Sequence, residues 1–155
     1  MTRLPLLATL LGLAGLLPFL FCGFASLAQA ATWALPALIG YGAVVLAFLG
    51  AVHWGLALAP QAPAAAAPPE VERARLLLGV VPALIGWAAL LVPRWAGLLV
   101  LIAGFVGVLV MEAAGHRRLL VPPGYMWLRW ILSVAVVAIL TTVLVLRLIG
   151  ASILL

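Results

Sequence analysis

Polar residues in this chain stand in a few short clusters, and between them lie apolar runs long enough to cross a bilayer. A hydrocarbon core takes about 20 apolar residues as helix, and five runs meet or approach that length, at 4–27, 33–58, 76–92, 95–111 and 130–149. The pattern predicts an all-α fold, a polytopic membrane bundle of five helices in a single domain spanning 1–155. Within 33–58, Gly40, Ala43, Ala47 and Gly50 recur at helical spacing on one side, and Tyr41, Val45, Phe48 and Val52 on the other. A seam of small residues lets a second backbone approach closely, which replaces the hydrophobic drive that is missing in lipid. The small face is therefore expected to be the packed one, and the bulky face to meet lipid or a neighbour's groove.

The run 4–27 carries a similar series, Ala8, Gly12, Gly15, Phe19 and Cys22, with Pro18 as an expected kink. Ala28 and Ala30 flank Gln29 as in a small-x-small cleavage site, so a signal peptide is the rival reading. The run is longer than a signal peptide's apolar stretch of about 7–15 residues, which favours a retained span. Residues 60–69 hold four prolines and read as an extended linker. Glu70 and Glu72 then precede Arg73 and Arg75, the charge order that suits a helix start. Pro93 and Arg94 make a turn so short that the third and fourth spans must form an antiparallel hairpin. The second, third and fourth spans are expected to form the packed heart. The fifth, rich in Val, Ile and Leu, is expected to be the most exposed to lipid. The hexad Pro36 to Tyr41 (PALIGY) returns as Pro82 to Trp87 (PALIGW), but at different depths in two spans, and reads as coincidence.

Charge adds an orientation. With the N-terminus inside, Arg3, Arg73, Arg75, Arg117, Arg118 and Arg129 all face the cytoplasm, and only Arg94 and Arg147 face outward. The positive-inside rule selects this arrangement, with the C-terminus outside. Composition agrees with a membrane location: charged residues make up 7% of the chain, against about 25% in a soluble domain. The net charge of +5 is spread over span ends and makes no basic stripe, so nucleic acid is not an expected partner. All eight basic residues are arginine, a bias that suggests a GC-rich bacterial source.

Candidate chemistry is sparse. Two histidines, three acids and one cysteine offer no zinc spacing, nucleophile elbow or phosphate loop. No catalytic, metal or cofactor site is expected, and the chain reads as no enzyme. His53 lies beside the small seam, and counting from Trp33 places it about 30 Å along the helix, near the cytoplasmic interface and level with Glu112. His53, Glu112, Arg117 and Arg118 form the candidate polar cluster. Two readings of it stand. If His53 and Glu112 meet, they can shuttle a proton or hold a ligand; otherwise the glutamate pairs with Arg117 or Arg118 as an ordinary interfacial residue. The arginines also suit anionic lipid headgroups. Expected partners are thus the lipid bilayer, anionic lipids, and membrane proteins or a second copy. The function read from these features is helix packing with itself or such partners, the alternative being a small proton-linked or solute transporter using His53 and Glu112.

The block Tyr41 to Gly55 (YGAVVLAFLGAVHWG), the segment Val81 to Trp87 and the segment Pro122 to Arg129 (PPGYMWLR) resemble the small membrane proteins of domain-of-unknown-function family 3429. The resemblance covers nearly the whole chain. It implies a several-helix, multi-pass protein of a bacterial inner membrane, and brings no activity and no site residue.

Overall fold

The computed structural model describes residues 6–28, 31–58, 68–116 and 123–150. They form α1 (Leu6–Ala14), α2 (Leu17–Ala25), α3 (Ala34–Leu58), α4 (Pro69–Leu91), α5 (Arg94–His116) and α6 (Pro123–Leu148). Helices α1 and α2 are two halves of one span, so among the described residues five segments are long and apolar enough to cross a membrane. The expected all-α bundle of five spans is what the chain forms. Most of the linker at 60–69, together with Arg117 and Arg118, lies outside the described residues.

The first span breaks where Pro18 lacks the N–H that would bond back to the carbonyl of Ala14. Leu16 bonds instead to the carbonyl of Leu13 in a tighter turn, and the Tyr41 hydroxyl of α3 donates to the carbonyl of Gly15 at 3.0 Å. Helix α4 starts well before residue 76. Proline is tolerated in a first helical turn, and Glu70 and Glu72 stand in that turn with favourable sign. Apolar patterning marks the buried length of such a helix and misses its polar first turns. The same holds for α5, which runs to His116, and for α6, which begins at Pro123.

Helices α3, α4 and α5 approach each other through glycine. A Cβ on Gly50 would lie 2.5 Å from the Gly79 carbonyl oxygen, and one on Gly86 would lie 2.9 Å from that of Ala43. The hairpin of α4 and α5 closes in the same way, with a Cβ on Gly97 placed 2.6 Å from the carbonyl oxygen of Ala89. These contacts leave no room for any larger residue without moving a backbone. The seam on α3 differs in register from the expected one. Ala43 and Gly50 are buried in it, Ala47 is half-buried, and Gly40 has no atom within 4 Å of the Cβ it lacks. Helix α3 is flanked on two sides, so the large Leu46 fills the wedge beside Gly104 of α5 and Ile85 of α4. The buried stripe therefore follows Ile39, Ala43, Leu46, Gly50 and His53, alternating small and large.

Phe19 of α2, Leu38 and Leu46 of α3, Leu101 and Phe105 of α5 and Leu140 of α6 make the centre of the core. Phe19 meets Tyr41 edge-on with centroids 4.9 Å apart. The first span is the least enclosed, with 17% of its most apolar stretch buried against 28% for the fifth. The expectation for the fifth span is thus corrected. Arg129, Ser133, Val136, Leu140 and Val143 recur at helical spacing and are all buried, so α6 presents a packed stripe despite having no small-residue seam.

Candidate functional site

One end of the bundle, where α3 and α5 finish and α4 and α6 begin, gathers the buried charge. His53 lies five residues before the end of α3, Glu112 four before the end of α5, and Arg129 six after the start of α6. Helices that alternate in direction bring these positions to one level. His53 Nε2 donates to Glu112 Oε1 at 3.0 Å, and Arg129 Nε donates to Glu112 Oε2 at 2.8 Å. The three residues are 0%, 1% and 3% exposed, so water does not share the contact.

The carboxylate is the hub of this triad. Each of its oxygens is committed to a different helix, which ties α3, α5 and α6 through one side chain. With a neutral imidazole the group has no net charge, the condition under which ionised side chains persist inside a membrane protein. Since Nε2 donates, Nδ1 holds the lone pair of the neutral ring. Nδ1 and the Nη2 of Arg129 are both buried with no hydrogen-bond partner among the described residues.

Helix α4 joins the same end from outside the triad. Arg75 is buried and its Nη1 donates to the carbonyl of Leu56 at 3.4 Å, while Trp54 Nε1 donates to that of Leu76 at 3.0 Å. Arg73 is exposed. At the opposite end Arg147 Nη2 donates to the carbonyl of Ser26, whose hydroxyl in turn donates to that of Gly23. Among the described residues no three His, Cys, Asp or Glu side chains form a metal-binding group.

The sequence reading brings His53 and Glu112 to one level, and the fold brings them into contact. It overlooks Arg129 as a partner of the carboxylate, while the expected partners Arg117 and Arg118 lie outside the described residues. A signal for it exists: Arg129 heads the buried stripe of α6, four residues before Ser133 and seven before Val136. A charged residue in phase with a buried stripe needs a counter-charge on a facing helix, and Glu112 closes the facing α5.

Beside the triad lies a cavity of about 580 Å³ between the first span, α3 and α6. Its walls include Gly12, Leu16, Tyr41, Val45, Phe48 and Leu132, and Arg129 and Ser133 are the polar residues of its α6 side. The bulky face of α3 thus meets a groove, with Phe48 67% exposed at its edge.

Comparison with known proteins fits this architecture. A family described as "Protein of unknown function (DUF3429)" matches residues 4–145. Transmembrane protein 69 of Xenopus tropicalis is 37% identical over 93 residues, which cover 54% of this chain and 32% of that protein. The chain therefore spans about a third of the length of that relative. No solved structure matches it. Since the match takes in four spans whole, the fifth but for its last three residues, and all three members of the triad, the chain belongs to the DUF3429 family.

Proposed function

We propose that this is a non-enzymatic, multi-pass protein of a bacterial inner membrane, with its N-terminus cytoplasmic, that works by packing its helices against partner membrane proteins or a second copy. The observation that supports this reading is the enclosure of the triad. Both oxygens of its carboxylate are satisfied from neighbouring helices and shielded from water, an arrangement suited to fixing the spacing of three helices. A fixed spacing gives the outer faces a defined shape for a partner to recognise.

Photo-crosslinking in native membranes tests it, with a photoreactive residue placed in turn at Leu84 of α4 and Val134 of α6, both on exposed faces. A scaffold gives a discrete protein adduct from at least one face, and Glu112→Gln diminishes it. Adducts with lipid alone at both positions would overturn the reading.

A second reading, proton-linked transport, draws on the lone pair of His53 Nδ1, which has no hydrogen-bond partner among the described residues. It calls for proton uptake into proteoliposomes that is lost in His53→Ala. Uptake that is absent, or insensitive to this substitution, would remove it.

A further inference from the structure

The charged residues of α5 and α6 repeat one interval. Arg147 stands 18 residues after Arg129 on α6, and Glu112 stands 18 residues after Arg94 on α5. At 1.5 Å per residue each interval is about 27 Å. Exposed tryptophans place both ends of it at the edges of the apolar belt. Trp54 follows His53 and Trp130 follows Arg129 around the triad, while Trp95 follows Arg94 at the opposite end, and all three are exposed. Indole rings on an outer face settle at headgroup level. An arginine near the end of a span ordinarily reaches outward and makes such a distance elastic. The exposed Arg94 is placed to do so, but the arginines of α6 are held. Arg129 Nε donates to Glu112 Oε2 at 2.8 Å, and Arg147 Nη2 donates to the carbonyl of Ser26, just past the end of α2.

We propose that the lateral surface of this protein fits a thin bilayer, one whose hydrocarbon core is at most about 27 Å, and that thicker bilayers loosen the bundle. Natural bilayers range from about 27 to about 33 Å. A span longer than the core tilts to fit, whereas a span shorter than it must thin the lipid around it or draw its polar ends inward. Helix α6 cannot lengthen its apolar path by freeing an arginine without giving up a bond to another helix, at Glu112 or at Ser26. The recognised feature of the lipid is its acyl-chain length, whatever the headgroup. The inference holds whether the protein works as a scaffold or as a transporter.

The test places the full-length protein in vesicles of phosphatidylcholine whose monounsaturated chains lengthen in steps, taking the core from below to above about 27 Å. Opening of the bundle is read from the rate at which the buried Cys22 is alkylated by a maleimide dye. Phe21→Cys in a Cys22→Ala chain, exposed one residue away, corrects for entry of the reagent into each bilayer. Alkylation is expected to be slowest at about 27 Å or thinner, and about tenfold faster at about 33 Å. Arg147→Leu removes one of the held charges and lets the apolar run of α6 continue through Leu148, so it is expected to move the slowest rate to a thicker bilayer. A merely structural role for Arg147 would speed alkylation by the same factor at every thickness. Should Arg147→Leu lose monodisperse elution, Arg147→Gln, which is neutral and keeps a donor for Ser26, serves in its place. A rate independent of thickness, a slowest rate in the thickest bilayer, or a charge-removing variant whose slowest rate does not move would each overturn the proposal.

Discussion

Replacing Glu112 by Gln is the most informative single change, because it keeps the shape of the hub and removes only its charge. The amide can still accept one hydrogen bond. It cannot balance the guanidinium of Arg129, which is 3% exposed. Removing one partner of a buried ion pair costs about 3–5 kcal/mol in soluble proteins, and an unpaired arginine at the centre of a membrane helix costs about 2.5–3.5 kcal/mol on insertion scales. Arg129 lies near the end of its span, where its long side chain can reach toward the interface and recover part of this. The expected loss is therefore about 3 kcal/mol, or about two decades in the folding equilibrium. Arg129→Gln is expected to cost a similar amount by leaving the carboxylate unbalanced. The double variant carries no buried charge and is expected to lose only about 1 kcal/mol, the scale of an ordinary hydrogen bond. Cys22 supplies the assay: it is the only cysteine and is buried, so its rate of alkylation by a maleimide dye reports opening of the bundle on heating or in denaturant. Single losses below about 1 kcal/mol, or a double variant whose loss is the sum of the two, would refute the view of the triad as a coupled unit.

Gly50→Ala is expected to destabilise by about 1–3 kcal/mol, the range for overpacking, because its Cβ would meet a backbone oxygen at 2.5 Å; Gly40→Ala, with open space, is expected to stabilise by up to about 1 kcal/mol through helix propensity. Both shifts are read from thermal unfolding, and equal effects would contradict the close approach of α3 and α4. Trp54→Phe loses the bond to Leu76 and is expected to cost about 1 kcal/mol, with an unaltered unfolding midpoint as the contrary result. His53→Ala removes one of the two bonds to Glu112 and leaves its pairing with Arg129, so a loss of about 1.5–3 kcal/mol, smaller than that of Glu112→Gln, is expected in the same Cys22 assay; a larger loss would move the hub from the carboxylate to the imidazole.

The spans were legible in sequence because apolar run length is a direct reading of what a bilayer demands. Register and partners were less so. The two hexads make the point: PALIGY and PALIGW are nearly identical, yet Gly40 faces open space while Gly86 lies against the backbone of Ala43. No local property of either hexad distinguishes them, since the difference comes from which helix stands opposite. The level of His53 and Glu112 was readable from helix rise alone. Their contact, and the pairing of Arg129 with Glu112, depends on how the helices are rotated, which the phase of the buried stripe on α6 encodes more faintly. The low burial of the first span had no signal either, because its apolar content matches that of spans enclosed by neighbours.

The three members of the triad leave the ribosome in a fixed order. Glu112 arrives after His53 has been waiting in the bilayer, but the arginine that neutralises it is 17 residues further on. At about 5–20 residues per second, the carboxylate waits about 1–3 s for it. During that interval the histidine is its only described partner from the final structure, and α5 has reason to linger near the membrane surface. Arrival of α6 closes the group and also supplies the wall against which the first span rests. Of the described helices, α6 is thus the one that closes the triad, and a chain cut short before residue 129 would retain four of the five described spans while lacking that closure.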